Sequence, residues 1–122
     1  MAGGVLGEKK TIKTRVFFRW AGAVGSSQEE VRVVGSCEEL GNWSTAAGVI
    51  LSRMEDHKGC WATDRGALMP LNQDFQYRYA ICKEGTGELL YWETPPADGE
   101  IRSAKATGRR LVLEDDGGKG RA

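Results

Sequence analysis

The stretch Val31–Trp43, VRVVGSCEELGNW, decides how the rest of the chain is read. Its first part is a β-strand: Val31, Val33 and Val34 are β-branched, and Val31 and Val33 alternate with Arg32. The strand breaks at Gly35-Ser36, and the segment ends on a Gly41-Asn42 turn that carries Trp43. Ser36 followed three residues later by Glu39 has the pattern of a capping box, which predicts one helical turn over Ser36–Leu40. A turn before a large flat aromatic is a poor way to build a core. It is a good way to present a ring to a ligand, because binding groups concentrate on loops held by a rigid scaffold.

Working outward, the same period-two pattern recurs on both sides. Over Thr14–Trp20, Val16, Phe18 and Trp20 share one face, while Phe17 and Arg19 share the other. Over Phe75–Ile81, Phe75, Tyr77, Tyr79 and Ile81 share one face, and Gln76, Arg78 and Ala80 the other. Shorter strands are predicted over Val49–Ser52, Trp61–Leu68, Leu89–Trp92 and Arg110–Leu113. Glycine and proline clusters at Gly22–Ser27, Gly85–Gly87 and Thr94–Gly99 separate them. No segment carries the pattern of an amphipathic helix. Short strands between turn signals predict an all-β fold, an antiparallel β-sandwich of about seven to eight strands. The domain is expected over residues 14–114, with polar, glycine-rich tails at 1–13 and 115–122. Trp20 and Trp61 are expected in the core.

Composition narrows the function. The 122 residues hold 17 Lys+Arg and 17 Asp+Glu, so the net charge is zero and nothing draws the chain to nucleic acid or an anionic membrane. No run approaches the ~18 apolar residues that cross a bilayer. The opening MAGGVLGEKK lacks a secretory h-region. With three cysteines, Cys37, Cys60 and Cys82, not all can pair, which suits a reducing compartment, cytoplasm or plastid. His57 is the only histidine, and the carboxylates are scattered among turns, so no nucleophile–base set or carboxylate pair across a cleft can be assembled. No Cys-x2-Cys pair and no phosphate-cradling loop is present. The expectation is a binding module with no cofactor, no metal and no catalytic residue, monomeric in itself.

GSCEELGNW resembles the segment that opens starch-binding domains of carbohydrate-binding module family 20. The likeness continues through Ala47 and Leu51, the strand opened by Trp61, the Phe75-Gln76-Tyr77-Arg78-Tyr79 strand and Tyr91-Trp92-Glu93, which resembles the family's Trp-Glu pair. It covers about Thr14 to Leu113. The resemblance implies an immunoglobulin-like sandwich that binds α-1,4-glucan, that is starch, glycogen or maltooligosaccharides, without catalysis. It implies Trp43 and Trp92 as the two rings of the principal site, Arg78 in place of the family's lysine as donor to sugar hydroxyls, and Glu93 as acceptor.

Departures from the family pattern limit what carries over. After Trp92-Glu93 the family's Asn-Arg turn is replaced by Thr-Pro-Pro-Ala-Asp-Gly-Glu-Ile-Arg, with no asparagine. Arg102 stands as a match to the family's arginine, and Asp98 or Glu100 as substitutes for the missing contact. The family's second site uses tyrosines, but Ala23–Glu30 and Arg53–Gly59 contain no aromatic, so a single site is expected. The competing reading is a protein-interaction domain, since a sandwich does not fix function.

Overall fold

The computed structural model describes residues 12–22, 24, 27–57, 59–93 and 101–116. In the first strand, β1 (Lys13–Ala21), alternation becomes burial: Thr14, Val16, Phe18 and Trp20 are buried while Lys13, Arg15 and Arg19 are exposed. The following strands are β2 (Glu29–Gly35), β3 (Val49–Arg53), β4 (Cys60–Thr63), β5 (Ala67–Pro70), β6 (Asp74–Lys83), β7 (Leu89–Trp92), β8 (Arg102–Lys105) and β9 (Arg110–Asp116). Hydrogen bonds link them in the order β9-β1-β4-β3-β2-β6-β7, with β5 also on β1 and β8 also on β6. Every pairing is antiparallel except β9 on β1.

The sheet folds over on itself. β1 and β6 lie four places apart in that order, yet Phe18 of β1 meets Phe75, Tyr77 and Tyr79 of β6 at ring-centroid distances of 6.4, 5.2 and 6.4 Å. Edge-to-face pairs at this range suit the ring quadrupoles. Two layers facing each other across these rings make the expected β-sandwich. Trp20 and Trp61 are both in the core, with Val31, Val33, Leu51, Met69 and Ile81 around them.

Several boundaries differ from the sequence reading. The single strand expected over Trp61–Leu68 is two, β4 and β5, because Gly66 turns the chain with a φ of +73°. A side chain there would also strike the Val16 carbonyl. β8 has no counterpart in the sequence reading; it is held by its register, Gln76 opposite Ser103 and Tyr77 opposite Arg102. β9 runs on to Asp116, so Asp115 and Asp116 are strand rather than tail. The expected capping box does not form. The short 3-10 helix covers Glu38–Trp43 after Cys37, with no side-chain cap, and the Ser36 hydroxyl accepts instead from the Gln76 N–H at 2.9 Å. The expected N-terminal tail up to residue 11, the C-terminal tail from 117, Asp98 and Glu100 lie outside the described residues.

Candidate carbohydrate-binding face

The outer surface of β6 is the floor of the candidate site. Gln76, Arg78 and Ala80 point to this side because Phe75, Tyr77 and Tyr79 fill the core. Register places Arg78 opposite Val34 and Ala80 opposite both Arg32 and Trp92. Val34, Ala80 and Cys82 form a small apolar cluster on which the half-buried Trp92 rests. Arg78 reaches over the same ring, its guanidinium carbon 4.7 Å from the Trp92 ring centroid, a cation–π contact that fixes the ring's orientation. The structure therefore brings Arg78 and Trp92 together.

Trp43 is supplied by the loop that follows β2. Gly41, Asn42 and Trp43 have φ values of +82°, +49° and +70°, three consecutive residues in the left-handed region. For Asn42 and Trp43 this conformation is costly, of order 1–3 kcal/mol each, and persists only where the surroundings enforce it. The enforcement is visible. Leu40 is fully buried beneath the loop. The N–H groups of Leu40 and Asn42 both donate to the Cys37 carbonyl at 3.0 Å, and Ser44 N–H donates to Gly41 O at 2.9 Å. A Cβ at Gly41 would come within 2.7 Å of the Ala47 carbonyl oxygen. The outcome is a tryptophan left 37% exposed on a rigid turn.

Arg32 ties this loop to β2, and Thr45 ties it to the turn before the strand that carries Trp92. It is only 5% exposed, although it lies on the outer side of the sheet. Its Nε donates to Glu30 Oε2 at 2.7 Å, and its Nη1 donates to the Thr45 and Ala46 carbonyls, each at 3.2 Å. Thr45 Oγ1 in turn donates to Gly87 O, in the turn that leads into β7, at 2.7 Å. Gly87 has a φ of +78°, and a Cβ there would sit 2.7 Å from Ala46 Cα and 2.8 Å from Arg32 Nη1. Nothing in VRVV marks this arginine as special: a charge at an outward position of a strand reads as solvated, and only the overlying loop makes it a buried clamp.

Glu93 is a correction. Its side chain is 1% exposed, so it cannot serve a sugar at the rim. Glu93 Oε1 accepts from Trp20 Nε1 at 3.0 Å and from Arg102 Nη2 at 2.7 Å. Glu93 Oε2 accepts from Tyr79 N–H at 3.1 Å and Arg102 Nε at 3.0 Å. Arg102 also donates to Asp115 Oδ1 at 3.2 Å, and Asp115 Oδ2 accepts from the hydroxyls of Tyr77 and Tyr79 at 2.9 and 2.7 Å. Burial alone would lower the pKa of Arg102, but the Glu93 and Asp115 carboxylates outweigh it and hold the guanidinium above its ordinary value. The signal was available in the sequence: if Trp92 faces out, strand alternation points Glu93 inward.

Burial first, and then the Asp115 charge, push both tyrosine hydroxyls well above the usual tyrosine pKa of about 10. Below that value both folded and unfolded chains keep the protons. Above it only the unfolded chain gains by ionising, so stability falls as pH rises beyond about 10. Urea midpoints measured from pH 8 to 11 should drop over the upper part of that range, and Tyr77→Phe with Tyr79→Phe should flatten the drop. Midpoints that stay level in the wild type would contradict the assignment.

The fold and the exposed aromatic face define the class: a β-sandwich binding module. The starch-binding domain family model matches residues 13–108, and the chain belongs to that family, carbohydrate-binding module family 20, whose members are non-catalytic. It is 33% identical over 70 residues to a glucoamylase of Neurospora crassa, a stretch that is 56% of this chain and 10% of that protein. Its fold is similar to the family 20 module of the maltotetraose-forming amylase of Pseudomonas saccharophila, with a TM-score of 0.68, 23% identity, and coverage of 84% of this chain and 99% of that one. It is also similar to the glycoside hydrolase family 15 glucoamylase of Hypocrea jecorina, with a TM-score of 0.71 and 22% identity over 88% of this chain and 18% of that one. At these identities the two structural likenesses are likenesses of fold. The chain thus spans a small fraction of the glucoamylases it matches.

Proposed function

We propose that this starch-binding domain holds an α-1,4-glucan between Trp43 and Trp92, with Arg78 donating to the sugar hydroxyls, and thereby tethers a linked or partner enzyme to the polysaccharide. The observation that carries the reading is the exposed Trp43 ring on a strained turn whose following segment Arg32 ties to β2 and Thr45 ties to the turn before the Trp92 strand. Each glucose ring has a weakly apolar C–H face and a rim of hydroxyls. A flat aromatic covers the face, and a charged donor meets the rim. Covering half of a tryptophan's 150–250 Å² contributes ~2–3 kcal/mol at ~25 cal/mol per Å². Two rings give ~4–6 kcal/mol before the entropy of association is subtracted, so millimolar to micromolar binding is expected, raised by multivalency on a granule. The absence of aromatic residues from the sequences of Ala23–Glu30 and Arg53–Gly59 favours one site per chain.

Pull-down on granular starch tests the reading. The protein should be retained, and Trp43→Ala should lower affinity by about 30- to 150-fold, the equivalent of the ring's contribution. Retention unchanged in that variant would overturn the site. A folded wild type that is never retained would favour a protein-interaction domain.

A further inference from the structure

We propose that the glucan site continues past Arg78 into the groove over the paired strands β6 and β8, where Gln76 and Ser103 hold the hydroxyl rim of further glucose units. The inference rests on the reading of the Trp43–Trp92 platform given above. Three rows of residues cross the outer face of β6. The first holds Arg32, Ala80 and Trp92, and the second Val34 and Arg78. The third holds Ser36, Gln76 and Ser103: Ser36 N–H donates to the Gln76 carbonyl at 2.9 Å, and Gln76 pairs with Ser103. From the level of Trp92 to the level of Gln76 is four residues of strand, about 13 Å. Arg78 stands between, so a chain lying on the Trp92 ring and bonded by Arg78 runs on to Gln76 without a gap.

The third row opens into a groove of about 410 Å³ lined by Ser36, Asp74, Phe75, Gln76, Ser103 and Ala104. Its chemistry suits a neutral polyhydroxylated ligand. A primary amide offers donors and an acceptor, and a hydroxyl offers one donor and two lone pairs, which matches sugar hydroxyls that both give and take. Gln76 and Ser103 are exposed, and among the described residues neither the side-chain amide nor the hydroxyl makes a hydrogen bond. The Ser36 oxygen accepts from Gln76 N–H, so its own O–H is left to donate. The charged member, Asp74, is matched by Lys105 at 3.2 Å, which leaves the groove without a net field for an anion or cation. Phe75 is buried, so the groove has no exposed ring. It adds rim contacts rather than stacking.

Calorimetric titration of the full chain with maltotriose and with maltoheptaose tests this. The wild type should bind the longer ligand more tightly. In the double variant Gln76→Ala, Ser103→Ala the ratio of the two affinities should fall by about three- to tenfold, the worth of one or two hydrogen bonds. Both positions are exposed, and a melting curve checks that the variant is folded. A ratio that keeps its wild-type value, or a wild type with no preference for length, would overturn the subsite while leaving the platform intact. A folded wild type that binds neither ligand would overturn the platform reading as well.

Discussion

Replacing Arg102 with methionine will cost the fold about 3–5 kcal/mol, the range found when one partner of a buried ion pair is removed. The guanidinium sits between two carboxylates, and the side chains are enclosed: Arg102 is 11% exposed, Glu93 1% and Asp115 15%. Methionine fills similar space but leaves Glu93 buried with two neutral donors, Trp20 and Tyr79, and no counter-charge. Arg102→Lys should recover little, because one ammonium cannot fork to both Glu93 oxygens and reach Asp115 as well. Small domains are stable by about 5–15 kcal/mol in total, so the loss is a large share. Urea unfolding followed by tryptophan fluorescence measures it. A loss under about 1 kcal/mol would place the pair with ordinary surface ion pairs and contradict its burial.

Arg32→Met is expected to have the second largest effect, and on two readouts. Removing the cation strands Glu30, whose side chain is 11% exposed, and removes the donor from the Thr45 and Ala46 carbonyls. A stability loss of about 3–5 kcal/mol follows from the first. The second loosens the segment after Trp43 from β2 and leaves Thr45 as its one hydrogen-bonded tie to the turn that leads to Trp92. Holding two rings at a fixed separation removes ordering cost from binding, so affinity for a maltooligosaccharide should fall by about tenfold or more. Gly87→Ala probes the same junction without removing a charge, since the added carbon crowds Ala46 and the Arg32 guanidinium. It should also weaken glucan binding. Wild-type affinity in both variants would show that the rings do not depend on this clamp.

What was legible in the sequence is what local pattern encodes. Alternation over Thr14–Trp20 and Phe75–Ile81 gave the two layers of the core, because the period of a strand is a property of neighbouring residues. The Gly41-Asn42 turn gave an exposed Trp43 for the same reason, since Gly and Asn tolerate positive φ and mark a reversal; the strain at Trp43 itself was not legible. The strand β8 was not legible: Ser103 and Ala104 have no strand propensity of their own and are recruited by pairing with β6. Long-range partners were equally hidden. Glu93 meets Trp20, 73 positions away, and Tyr77 meets Asp115, 38 away. The residues of Asp64–Gly66 do contain a turn signal, Asp-Arg-Gly, and it outweighed the β-candidates on either side.

The Arg102 network has a consequence for anyone who wishes to transplant this surface. Trp92 and Glu93 are consecutive, but one faces out and the other is the anion of an internal circuit that closes through β8 and β9. Grafting the Leu89–Glu93 segment onto a foreign sandwich would therefore import a carboxylate whose counter-ion stays behind. The smallest portable unit is not the hairpin that bears the ring. It is that hairpin together with Arg102, Asp115 and the two tyrosines that Asp115 accepts from.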